Sequence, residues 1–160
     1  MPKDLYRVLV TQFLTAFADN AVLFTAITMV LQKASVGSWY VPTLQAAFLV
    51  AFVVLAPWVG GYADASAKPK VLLSANVVKA TGAGLLFIGA EPLLAFVVIG
   101  LGAALYSPAK YGILPELVDE QQLVKANGWM EGSTILAILL GSLVGAALSE
   151  YSQPLTAKQA

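Results

Sequence analysis

Asp19 and Asn20 stand side by side within an apolar run, Val8 to Leu31, where a carboxylate is costly. Asp19 lies eleven residues after Val8. At about 1.5 Å per residue that places it ~17 Å along a helix, near the middle of a ~30 Å hydrocarbon layer. A charge at that depth costs roughly 2.5–3.5 kcal/mol on insertion scales, so the group must be protonated, paired or facing water. Gln12, Thr15 and Asp19 recur at i, i+3 and i+7 and therefore share one helical face, a polar stripe suited to a cavity wall. Intramembrane ionisable groups mark substrate or ion paths by default. The competing reading is that Asp19 and Asn20 bond a neighbouring helix, as polar groups in membranes often do.

Lys79 interrupts a later apolar run nine residues from its start, too deep for an easy reach to the interface. It is either an internal partner for an acid such as Asp19 or Glu131, or an anchor of packing. Lys110 and Glu131 fall nearer a membrane boundary, where a polar network and plain interfacial solvation are both open readings. The chain has no histidine and no cysteine. Imidazole bases, thiol nucleophiles, disulfides and every His or Cys metal site are thereby excluded, and no cofactor is expected beyond a coupling cation of unspecified identity.

These residues must be positioned by helices in lipid. The 160 residues are 59% hydrophobic and only 11% charged, far from the balance of a water-soluble domain. Nine basic residues cancel nine acidic ones and are scattered singly, so nothing resembles a nucleic-acid footprint. Crossing the hydrocarbon takes about 20 mostly apolar residues. Five stretches meet that test or come close: Val8 to Leu31, Leu44 to Ala63, Val71 to Ala90, Leu93 to Tyr111 and Ser133 to Leu148. An amphipathic loop is expected around Pro115 to Gly128. The expected fold is an all-α polytopic membrane protein, a single membrane domain over residues 1–160 with an extramembrane tail at 150–160.

With the N-terminus in the cytoplasm, Lys3, Arg7, Lys68, Lys70, Lys110 and Lys125 fall at cytoplasmic ends and only Lys33 and Lys158 outside, as the positive-inside rule requires. Trp39 and Tyr40 then sit at the outer interface and Trp58, Tyr62 and Trp129 near the inner one. Ser133, Ala137, Gly141, Gly145 and Ser149 recur every four residues and build a ridge of small side chains. Such a ridge permits close helix packing, and a sliding interface would use it equally.

The segment Gly60-Gly61-Tyr62-Ala63-Asp64-Ala65-Ser66-Ala67-Lys68-Pro69-Lys70 resembles the loop motif of the major facilitator superfamily, with Gly60, Asp64 and Lys68 at pattern positions and Ala65, Ala67 and Pro69 departing from it. It also falls between the second and third apolar runs, where that motif belongs. The resemblance implies an N-terminal half-bundle of that superfamily, with Asp64 as a conformational latch. Gln12 to Ala21, Tyr106 to Leu114 and Leu123 to Glu131 are similar to the bacterial lysophospholipid transporters of the same superfamily. That likeness implies uptake of lysophospholipids from the outer to the inner leaflet of the inner membrane, for re-acylation by a cytoplasmic acyltransferase-synthetase. Some such transporters are fused to that enzyme.

A lysolipid has one acyl chain and a polar head. Asp19, Asn20 and Gln12 among Phe13, Phe17 and Phe24 suit it, with Asp19 facing the amine of an ethanolamine head or a coupling cation. Five helices are an incomplete half of such a carrier, so the chain is expected to be part of a longer protein or a truncated reading frame. A drug or small-solute carrier, a membrane-embedded enzyme and an inactive or partner-dependent scaffold are the alternatives. The enzyme is disfavoured because only Asp19 among the acids lies deep.

Overall fold

A computed structural model of the chain describes residues 3–32 and 37–152, with side chains to residue 148. Five helices account for nearly all of them: α1 Lys3–Leu31, α2 Tyr40–Ala65, α3 Lys68–Phe87, α4 Pro92–Leu117 and α5 Glu120–Ser152. All five contain a window long and apolar enough to cross a membrane. In hydrocarbon every backbone N–H and C=O needs an internal partner, and a helix supplies one locally.

The helix ends differ from the apolar runs. Hydropathy locates the part of a helix that meets hydrocarbon, whereas helical hydrogen bonding continues through any polar residue that tolerates it. The expected loop at Pro115 to Gly128 is therefore mostly helical. Only Val118 and Asp119 separate α4 from α5, and α5 opens with Glu120, Gln121 and Gln122, all good helix formers. In the other direction, α3 stops at Phe87, short of Ala90. Gly89 adopts φ +80°, and the amides of Gly89 and Ala90 turn back to the carbonyls of Leu86 and Leu85, a glycine-terminated helix end. Proline marks the opposite ends, in the first turn of α3 and of α4.

The chain divides into two compact units. The first contains α1 and α5 from Val124 onward. The second, Ser38–Leu123, contains α2, α3 and α4. In the second unit α2 and α3 both pack along α4 and hardly touch one another. Glycines permit the approach. A methyl group at Gly100 would lie 2.7 Å from the Phe48 carbonyl oxygen of α2, and one at Gly102 would lie 2.8 Å from the Ala75 carbonyl oxygen of α3. Ala75, Ala95 and Ala109 are fully buried in the same layer.

In the first unit the ridge on α5 is a packing surface against α1. Ala137, Gly141 and Gly145 are buried, and a methyl group at Gly145 would lie 2.6 Å from the Ala21 carbonyl oxygen. The Ser149 side chain, together with Lys33 and Lys158, lies outside the described residues. Away from the seam, α5 presents Ile135, Leu136, Leu139 and Leu143 outward, an apolar face that only lipid or another apolar surface would cover.

Candidate functional site

The α1 stripe is built at the seam with α5. Gln12 is 4% exposed, and its Nε2 donates to Thr134 Oγ1 at 2.9 Å. The Thr134 hydroxyl in turn donates to the Met130 carbonyl oxygen at 2.8 Å, which leaves its lone pairs for Gln12. The other end of the same amide, Gln12 Oε1, is buried with no hydrogen-bond partner. An unmet buried acceptor costs about 1–3 kcal/mol in a protein interior, so this atom favours any donor that reaches it.

Two turns along, Asp19 and Asn20 are half-buried. Asn20 Nδ2 donates to the Ala16 carbonyl oxygen at 2.9 Å. The ridge on α5 fixes this segment. A methyl group at Gly141 would fall inside contact distance of the Phe17 carbonyl oxygen and 3.1 Å from Asn20 Cβ. Phe13 and Phe17 stack with ring centroids 6.3 Å apart, setting an apolar wall on the same helix. Gln12, Asp19 and Asn20 are thus one polar run on α1, backed by α5.

Lys79 belongs to the second unit. It is 7% exposed, and its Nζ lies 4.6 Å from the centroid of the Tyr106 ring on α4. Its stem crosses Gly102, where a methyl group would come within 2.5 Å of Lys79 Cγ. Lys110, one turn beyond Tyr106 on the same face of α4, is also buried, with Nζ 4.8 Å from the Tyr111 ring centroid. Glu131 is an exposed residue of α5. The residues expected from the sequence are therefore divided: Gln12, Asp19, Asn20 and Glu131 in the first unit, Lys79 and Lys110 in the second.

The glycine-rich segment occupies the end of α2 and the turn into α3. Lys68 Nζ donates to the Ala63 carbonyl oxygen at 2.8 Å and reaches Asp64 at 3.3 Å. A lysine on the last carbonyls of a helix complements the negative end of its dipole. Its stem runs past Gly112 of α4, where a methyl group would lie 3.1 Å from Lys68 Cε. Asp64 itself is largely exposed, so this ion pair contributes little to stability. Gly60 is half-buried, with open space beside it. At the other end of this unit the Tyr40 hydroxyl donates to Glu91, joining the starts of α2 and α4.

Two partners here, Gly102 and Glu91, had no sequence signal of their own, and Tyr106 stood out only within a segment of family resemblance. Tyr106 and Gly102 acquire their roles from α3 packing on α4, and Glu91 from the proximity of Tyr40. Thr134 had a weak one, since it adjoins the small-residue ridge beginning at Ser133.

The sequence matches the Major Facilitator Superfamily over residues 8–155. The chain belongs to that superfamily. Five membrane-capable helices and this membership make it a multi-pass membrane protein. The chain is 50% identical over 152 residues to the lysophospholipid transporter LplT of Photorhabdus laumondii, covering 95% of this chain and 38% of that protein. It is 47% identical over 151 residues to the lysophospholipid transporters LplT of Yersinia enterocolitica and of Yersinia pestis, covering 94% of this chain and 37% of each. It therefore spans well under half the length of these curated relatives. No solved structure matches the chain.

Proposed function

We propose that this facilitator-superfamily chain moves lysophospholipids from the outer to the inner leaflet of the bacterial inner membrane, as the N-terminal half-bundle of a two-half carrier. The observation that carries the reading is the 50% identity to a lysophospholipid transporter across 95% of the chain. Alternating access in this superfamily uses two halves rocking about a midplane site.

Within that reading Asp19 faces the cationic amine of the head group or a coupling cation, with Asn20 and Gln12 as neighbouring polar groups and Phe13, Phe17 and Phe24 as the apolar wall. Lys79 belongs to the same translocation path. Gly60, Asp64 and Lys68 form the conformational gate, and Lys110 and Glu131 serve a polar network on the cytoplasmic side. The excess of Lys and Arg at one set of helix ends supports a cytoplasmic N-terminus. The translocated lipid is then available to a cytoplasmic acyltransferase-synthetase for re-acylation. The chain performs no bond-making chemistry of its own.

The test is reconstitution in vesicles with lysophosphatidylethanolamine in the outer leaflet and albumin added to extract whatever remains there. Protection of the lipid from albumin is expected, along with competition by other lysophospholipids and none by hydrophilic solutes or drugs. An Asp19→Asn variant that inserts normally is expected to lose protection. Unaltered transport by that variant would remove the role of Asp19, and competition by unrelated solutes would point to a broader carrier.

A further inference from the structure

We propose that the starts of α2 and α4 form a docking site for a single-chain phospholipid with an amine head, its ammonium held by Trp39, Tyr40 and Glu91 and its acyl chain lying in the groove between the two helices. The proposal rests on the lysophospholipid reading above and adds a site built from the second unit alone, with no residue in common with the Asp19 stripe.

The groove has a volume of about 490 Å³. Thr43, Ala47, Val50 and Val54 line it from α2, and Val97 and Leu101 from α4. The α2 positions recur at three- and four-residue steps and so share one face, which runs ~17 Å from Thr43 to Val54 at about 1.5 Å per residue. Half of a ~30 Å hydrocarbon layer is ~15 Å, the depth that the acyl chains of one leaflet fill. Gly100 closes the floor by letting α4 approach α2: a methyl group there would lie 3.0 Å from Ala51 Cβ. Thr43, the polar residue among those named, turns its hydroxyl back to the Trp39 carbonyl oxygen at 2.8 Å, so the walls are hydrocarbon.

Tyr40 continues the same face of α2 one turn before Thr43, and its hydroxyl donates to the Glu91 carboxylate at the start of α4. The Trp39 and Tyr40 rings lie with centroids 5.7 Å apart, inclined at 53°, and both Trp39 and Glu91 are exposed. Glu91 stands at the N-cap of α4 without spending its side chain on the cap. A carboxylate has about four acceptor positions, so beside the Tyr40 hydroxyl it can still take an ammonium, and aromatic faces attract the same cation. Glu91 is the charged residue at this end of the unit, whereas Asp64, Lys68 and Lys70 stand at the other, where α2 passes into α3. An interfacial aromatic belt would account for Trp39 and Tyr40 alone. It would not account for the carboxylate joined to them or for the groove that opens one turn below. One groove takes one chain, which favours a single-chain lipid over a diacyl one. With the N-terminus in the cytoplasm this end meets the outer leaflet, where the cargo begins.

The test is quenching of Trp39 fluorescence in the purified chain, carried in phosphatidylglycerol nanodiscs with Trp58→Phe and Trp129→Phe so that Trp39 alone reports. The quenchers are lysophosphatidylethanolamine and lysophosphatidylglycerol, each brominated on the acyl chain near the head. Saturable quenching is expected, with the amine lipid bound roughly tenfold tighter. Glu91→Gln is expected to remove that preference by weakening the amine lipid alone, Ala47→Phe to weaken both lipids about tenfold by filling the groove, and Asp19→Asn to change neither. Quenching that rises without saturation, in a chain that still protects lysophosphatidylethanolamine from albumin, would overturn the proposal and leave the transport reading standing. So would equal weakening of both lipids by Glu91→Gln, which makes Glu91 a packing element, and unchanged binding by Ala47→Phe, which empties the groove of the acyl chain. Loss of the preference in Asp19→Asn would assign the amine to Asp19 instead, and competition by diacyl phosphatidylethanolamine as potent as by the single-chain lipid would assign the site to the bilayer; either overturns the proposal. A chain that neither saturates nor transports would overturn the transport reading itself.

Discussion

Removing either partner of the Gln12–Thr134 hydrogen bond should have unequal consequences. Thr134→Val keeps the volume of the side chain but leaves the Gln12 amide without its acceptor, and Gln12 Oε1 already has no partner. A whole amide is then unsatisfied in a buried seam, at a cost of about 1–2 kcal/mol. Gln12→Leu deletes the same bond but also removes the orphaned oxygen, and the Thr134 hydroxyl keeps its bond to the Met130 carbonyl. The gain and the loss are each about 1 kcal/mol, so that variant should lie within roughly 0.5 kcal/mol of wild type.

The double variant should resemble Gln12→Leu alone, giving a coupling energy of about 1–2 kcal/mol between the two sites. The assay is reversible unfolding of the purified chain in bicelles, followed by tryptophan fluorescence in a Trp39→Phe, Trp58→Phe background that leaves Trp129 on α5 as the reporter. Equal losses for the two single variants, or additive losses in the double variant, would contradict this geometry. Transport separates structure from function at the same position: a Gln12→Leu chain of wild-type stability that no longer moves lysophospholipid would place Gln12 in the path of the cargo.

Gly102→Ala should destabilise the second unit by about 1–3 kcal/mol, because the added methyl meets the Ala75 carbonyl oxygen at 2.8 Å and the stem of Lys79. Gly84→Ala, a helical position with open space around it, should stabilise by about 0.5–1 kcal/mol, and thermal unfolding of the pair reads both signs. Asp64→Asn should change stability by less than about 0.5 kcal/mol, since the Asp64–Lys68 pair is solvent-exposed at the carboxylate. A large fall in transport with unchanged unfolding would then mark Asp64 as part of the conformational gate.

Much of the architecture was legible from hydropathy alone. Five apolar runs became five helices, and the four-residue spacing of Ala137, Gly141 and Gly145 became a buried contact surface on α1. The helix ends were less legible. The segment around Pro115 to Gly128 loses its apolar character yet stays helical except at Val118 and Asp119, because a change in polarity is not a change in backbone. Of the candidate site, Asp19 and Lys79 stood out because charge inside an apolar run is conspicuous at any level of description.

By itself the sequence determined that this chain carries helices able to cross a membrane, five of them among the described residues, and which ionisable groups lie in apolar runs. Hydropathy adds up along the chain, and the thickness of the hydrocarbon sets the length of each helix, so neither needs a neighbour. Only the tertiary structure decided what those polar groups meet. Gln12 and Thr134 are 122 residues apart in the chain, and Lys79 reaches Tyr106 across a notch made by one missing methyl group. Such contacts depend on which faces of two helices come together and how closely. That is set by backbone approach at glycines such as Gly102 and Gly141, where a single side-chain carbon would hold the helices apart.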